Sequence, residues 1–78
     1  MRLVYDPRHN VAYLRLQAKT VQVETIQVRD ELNVDIAPDG TVYGIEPLNA
    51  NAQFGGDDGG ALVVVNEALG RQQVVPLR

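Results

Sequence analysis

The stretch from Leu32 to Leu48, LNVDIAPDGTVYGIEPL, constrains this chain more than any other. Two strand-like runs, Leu32 to Ala37 and Thr41 to Leu48, flank Pro38-Asp39-Gly40. Proline sets φ for the first corner of a turn, aspartate hydrogen-bonds its own backbone, and glycine takes the positive φ that follows. The signal is a three-residue hairpin loop, a type I turn closed by a G1 bulge. Regular alternation from that turn places Ile36 opposite Val42, Val34 opposite Gly44 and Leu32 opposite Glu46. Asn33, Asp35, Tyr43 and Ile45 then share the other side.

The residues before this hairpin also read as strands. Leu3 to Tyr5 is followed by the turn residues Asp6-Pro7-Arg8-His9-Asn10 and then by Val11 to Leu16. In the run from Val21 to Val28, Val21 and Val23 are in one phase and Ile26 and Val28 in the other, which predicts a β-bulge near Glu24-Thr25. Arg29-Asp30-Glu31 is a polar turn. No stretch before residue 49 has helical periodicity, so residues 1–48 read as five antiparallel strands in up-down order, a small β-meander. Residues 49–60 form a Gly/Asp-rich connector in which Phe54, the only phenylalanine, can pin the segment to the sheet. The tail, 61–78, is either a hairpin of Ala61 to Val65 with Gln72 to Val75, or a short helix plus a strand. Val63-Val64-Val65 favours the hairpin. The expected class is all-β, with one short helix in the tail as the alternative, in a single domain of 78 residues.

The order of these elements resembles a family of short bacterial proteins catalogued as domain of unknown function 2283. The resemblance rests on Tyr5-Asp6-Pro7, Ala12-Tyr13-Leu14-Arg15-Leu16, the Glu24-Thr25 step, Asp39-Gly40 and Val42-Tyr43-Gly44-Ile45-Glu46-Pro47-Leu48. Pro47 departs from the family pattern, which usually has a residue able to donate to a ladder; the strand is expected to lie on an edge or to end there. The resemblance implies the fold and a bacterial setting. It carries no activity, cofactor or catalytic residue.

The side-chain inventory excludes much chemistry. With no Cys and no Ser there is no thiol or serine nucleophile, no disulfide framework and no thiolate metal site. His9 is the only histidine and reads as an exposed turn residue. Gly55-Gly56-Asp57-Asp58-Gly59-Gly60 matches neither an EF-hand loop nor a phosphate cradle and reads as a connector. Glu46, placed among Leu32, Val34 and Ile36, calls for a partner, and a structural ion pair with Arg2 or Arg15 is the expectation. No catalytic, cofactor or metal residues are assigned. The net charge is −3 and the seven basic residues are scattered, so no nucleic-acid partner is expected. Nor is a membrane, since no run approaches the roughly 20 apolar residues of a span. A core of Val, Leu, Ile and Ala with one Phe, three Tyr and no Trp is thin for a chain of this length. Val11, Tyr13, Tyr43 and Ile45 are therefore the candidate interface. The expected role is a cytoplasmic, non-catalytic interaction or oligomerisation module that pairs as a homodimer or with another small protein. The alternatives are a small-ligand or metal-dependent activity at a subunit interface, using Asp6, His9 and Glu46, and an antitoxin-like regulatory partner.

Overall fold

The computed structural model describes residues 1–18, 20–56 and 60–77. Its strands are β1 (Arg2–Asp6), β2 (Val11–Arg15), β3 (Glu24–Arg29), β4 (Leu32–Ile36) and β5 (Val42–Pro47), then the single-turn helix α1 (Ala50–Gln53), then β6 (Ala61–Asn66) and β7 (Arg71–Pro76). The first five strands make one antiparallel sheet and the last two a separate hairpin. The expected all-β class holds, and of the two readings of the tail the hairpin is the one adopted.

The order within the sheet is β1-β2-β5-β4-β3, not the chain order of a simple meander. Two local units, the β1–β2 hairpin and the β3–β4–β5 meander, join by pairing β2 with β5. The eight residues 16–23 explain this. They are too many for a tight hairpin loop, so nothing local ties β3 to β2. β5 instead takes that place, with Leu14 opposite Ile45 and Arg15 opposite Gly44.

The central hairpin closes as its sequence demands. Ala37 N–H donates to the Thr41 carbonyl and Gly40 N–H to the Ala37 carbonyl, both at 2.9 Å, and Gly40 has φ +90°. Beyond the turn the register departs from regular alternation. Ile36 faces Val42, but Asp35 faces Gly44, so Tyr43 is an extra residue on β5. From there Val34 faces Ile45, Asn33 faces Glu46 and Leu32 faces Pro47. This bulge reverses the phase of Gly44–Pro47 relative to the expected pairing. Its carbonyl is used as well, accepting from Leu16 N–H at 2.9 Å. The bulge in β3 falls between Gln27 and Arg29 rather than near Glu24-Thr25, because the strand begins only at Glu24 and leaves Val21 and Val23 outside it.

The corrected phase sorts the sheet into two faces. Leu3, Tyr5, Ala12, Leu14, Ile45, Val34, Ile36 and Ile26 share an apolar face; Arg2, Val4, Tyr13, Arg15, Gly44, Asp35, Glu46 and Thr25 share the other. α1 lies against β2 where Ala12 and Ala50 are both almost completely buried, and Phe54 meets Tyr5 edge-on at 5.2 Å between ring centroids. Phe54 thus pins its segment as expected. Pro47 ends β5, and the next residue, Leu48, donates to the Glu31 carbonyl.

Candidate functional site

The most buried polar group on the second face is Asp35, only 6% exposed. Its two oxygens each accept a hydroxyl: Tyr13 Oη at 2.7 Å and Thr25 Oγ1 at 2.6 Å. These lengths fit charge-assisted O–H···O⁻ bonds. Thr25 sits directly opposite Asp35 on β3, but Tyr13 is on β2, two strands away. The phenol must therefore cross β5, and it crosses at Gly44. A Cβ at Gly44 would overlap the hydroxyl end of the Tyr13 phenol, so no other residue type leaves the passage open. Four strands are laced together by this crossing. It is a structural clamp, since a carboxylate this enclosed offers little access to a reacting group.

A second polar network holds α1. Asn10 caps the β1–β2 turn with φ +56° and from there makes three bonds. Its carbonyl accepts from Ala50 N–H at 3.1 Å, its Oδ1 accepts from Asn51 N–H at 2.7 Å, and its Nδ2 donates to Asn49 Oδ1. Asn51 accepts from Tyr5 Oη at 2.6 Å and donates to the Pro7 carbonyl. Gln53 Nε2 donates to the carbonyls of Glu31 and Leu48. The segment 49–54, read from sequence as part of the connector, is thus an ordered bridge between the β1–β2 and β3–β4 turns.

The expected site residues are distributed unequally. Asp6 and His9 do meet, with His9 Nδ1 2.7 Å from Asp6 Oδ2 in an exposed turn. That hydrogen bond, with backbone N–H donation from Arg8 and His9, holds the Asp6 carboxyl below its ordinary pKa of 3.8. Glu46 is not with them: it lies two strands across, about 10 Å by strand spacing alone. Its carboxylate accepts from Asn33 Nδ2 at 3.1 Å, because the Tyr43 bulge turned it to the polar face, and neither Arg2 nor Arg15 pairs with it. Those two arginines face each other across β1–β2 beside an open cleft lined also by Val4, Tyr13 and Ala18. The candidate interface divides for the same reason. Val11 and Tyr13 are on the clamp face, Ile45 is on the apolar face, and Tyr43 is buried at the bulge. Among the described residues no three His, Cys, Asp or Glu side chains gather as metal ligands. The acidic pair of the connector, Asp57 and Asp58, lies outside the described residues.

The Asp35 clamp was missed in sequence, although its parts were in view. Tyr13, Thr25 and Gly44 all belong to the short motifs that carry the family resemblance, and three strands bring them to one carboxylate. The usable signal was the glycine in an otherwise β-branched strand, which marks a close approach.

Fold and clamp define a class: a small antiparallel sheet laced by a buried carboxylate, with an accessory helix and a C-terminal hairpin. The chain belongs to the family described as Protein of unknown function (DUF2283), whose model matches residues 2–51, more than half of its length. The match ends within α1, so the sheet and the first half of the helix fall inside it while the β6–β7 hairpin falls outside. No curated protein and no solved structure matches the chain. No helix among the described residues is long and apolar enough to cross a membrane.

Proposed function

We propose that this protein is a non-catalytic oligomerisation and interaction module of the bacterial cytoplasm, working as a homodimer. One observation supports this above the rest. The chain exposes 5754 Å², whereas a folded monomer of 8.6 kDa exposes about 4,700 Å². The surplus of about 1,000 Å² is what one partner contributes to a standard protein–protein interface. The apolar character of that surface points the same way: Ile26, Val64, Val65, Leu69 and Val74 are all more than two-fifths exposed. The radius of gyration, 14.0 Å, likewise exceeds the roughly 11.5 Å of a compact chain of this length.

Sedimentation velocity across low to high micromolar concentration tests the reading. A dimer is expected in the upper part of the range. A monomer throughout overturns it.

A further inference from the structure

The β6–β7 hairpin cannot be a finished structure on its own. Its two six-residue strands pair with each other alone, and a two-stranded ribbon is marginal in water without a third strand or a covered face. Among the described residues no other strand or helix packs extensively on either face. Leu62, Val64 and Val75 line one side; Val63, Val65 and Val74 line the other, and all of these but the half-buried Val63 are exposed, by 38% to 55%. Arg71 is the only charged residue in either strand, which leaves the ribbon suited to an apolar neighbour. The base of the hairpin approaches its own sheet, where Ala61, Leu62 and Leu77 stand across an open cleft of about 310 Å³ from Leu3 and Phe54.

The sheet has the complementary deficit. α1 and Phe54 cover the β1–β2 half of the apolar face, whereas nothing comparable among the described residues covers the β4–β3 half, where Ile26 is 43% exposed and Val34 and Ile36 are half-buried. Each chain therefore carries one uncovered ribbon and one uncovered half-face. Two copies related by a two-fold axis satisfy both at once.

Resting on the homodimer reading, we propose that the occupant of the Ile26–Val34–Ile36 half-face is the β6–β7 hairpin of a second copy, exchanged reciprocally. The surplus of about 1,000 Å² per chain is of the size such an exchange would remove. The burial agrees, since among the described residues no large side chain is fully buried, and stacking a second copy on the sheet would enclose more of them.

The test uses the full chain. Val64→Glu combined with Val74→Glu puts a carboxylate on each side of the ribbon; the dimer dissociation constant should rise about 100-fold or more, because a charge would have to be buried unpaired. Hydrogen exchange on the same variant should leave β1–β5 protected, which separates loss of docking from loss of folding. Because the native chain has no cysteine, mixing an Ile26→Cys chain with a Val64→Cys or Val74→Cys chain gives an independent readout. A mixed disulfide should form with at least one of the two hairpin positions. If the wild type is dimeric but the double variant dimerises as well as before, or neither mixed disulfide forms, the exchanged hairpin is wrong while self-association stands. If the wild type is monomeric throughout, both fall.

Discussion

The β1–β2 and β6–β7 hairpins are built to nearly the same local plan and end in opposite circumstances. Each joins its strands through four residues, between Asp6 and Val11 in one and between Asn66 and Arg71 in the other. In each, the side chain at the end of the first strand folds back onto the loop: Asp6 Oδ1 accepts from Arg8 N–H at 3.0 Å, and Asn66 Oδ1 from Leu69 N–H at 3.2 Å. In each, the last loop residue is left-handed, Asn10 at φ +56° and Gly70 at φ +62°. Only that last residue differs in consequence. Asn10 has an amide with which to seize α1, and glycine has nothing. The first hairpin is held beneath a helix by that amide and joins a five-stranded sheet through β2–β5 pairing, and the second stands as a ribbon. Good turn chemistry forms a hairpin; a place in the molecule comes from what its side chains can reach beyond the turn.

The sharpest way to break this contrast is to attack the locked side. Gly44→Val drives a side chain into the Tyr13 ring and detaches its hydroxyl from Asp35, and should cost about 4 kcal/mol in urea unfolding. An unchanged midpoint would show that the crossing is dispensable. Asp35→Ala leaves both hydroxyls without their carboxylate and should cost about 2–3 kcal/mol, whereas Tyr13→Phe as a single change should cost less than half as much. Asn10→Ala converts the first hairpin toward the second. It removes two side-chain bonds and strains a left-handed residue, for about 1–2 kcal/mol, and should raise hydrogen exchange selectively at 49–54. Gly70→Ala imposes about 1 kcal/mol of left-handed strain, but its effect should be confined to hydrogen exchange in β6–β7. A matching shift in the β1–β5 amides would mean that the two regions unfold together.

The smallest effect is in pH. Asp6 and Asp39 both have lowered folded-state pKa values, Asp6 through His9 first and Asp39 through the Thr41 backbone N–H first. A lowered folded value means that the stabilisation is fully present above the ordinary 3.8 and is lost as pH falls through the lowered value. Urea midpoints should therefore drop below pH 4, and Asp6→Asn should reduce the drop. Equal drops in wild type and variant would remove Asp6 from the account.

Much of the architecture was legible because it is local. Pro38-Asp39-Gly40 specifies its turn, the tail hairpin follows from Val63-Val64-Val65, and Phe54 does pin its segment. What stayed hidden depended on residues far apart in the chain. No local rule decides that β5 rather than β3 pairs with β2, and a bulge at Tyr43 cannot be distinguished from regular alternation until the partner strand is known. That one bulge accounts for the misassigned face of Glu46, and it divides the four residues expected to form an interface. α1 escaped notice because four residues are too few to show a helical period. It is held by side-chain amides instead of by its own propensity.

The Tyr43 bulge also bears on how this chain can change length. Because Val42 already faces Ile36 and Gly44 already faces Asp35, removing Tyr43 would leave every other pair on β4–β5 as it is and every side chain on its present side. Removing Glu46 would instead slide Gly44 and Ile45 by one place each, turning the Ile45 side chain to the polar face. The strand therefore contains one position that acts like a splice: a site where the chain gains or loses a residue without altering the meaning of those that follow.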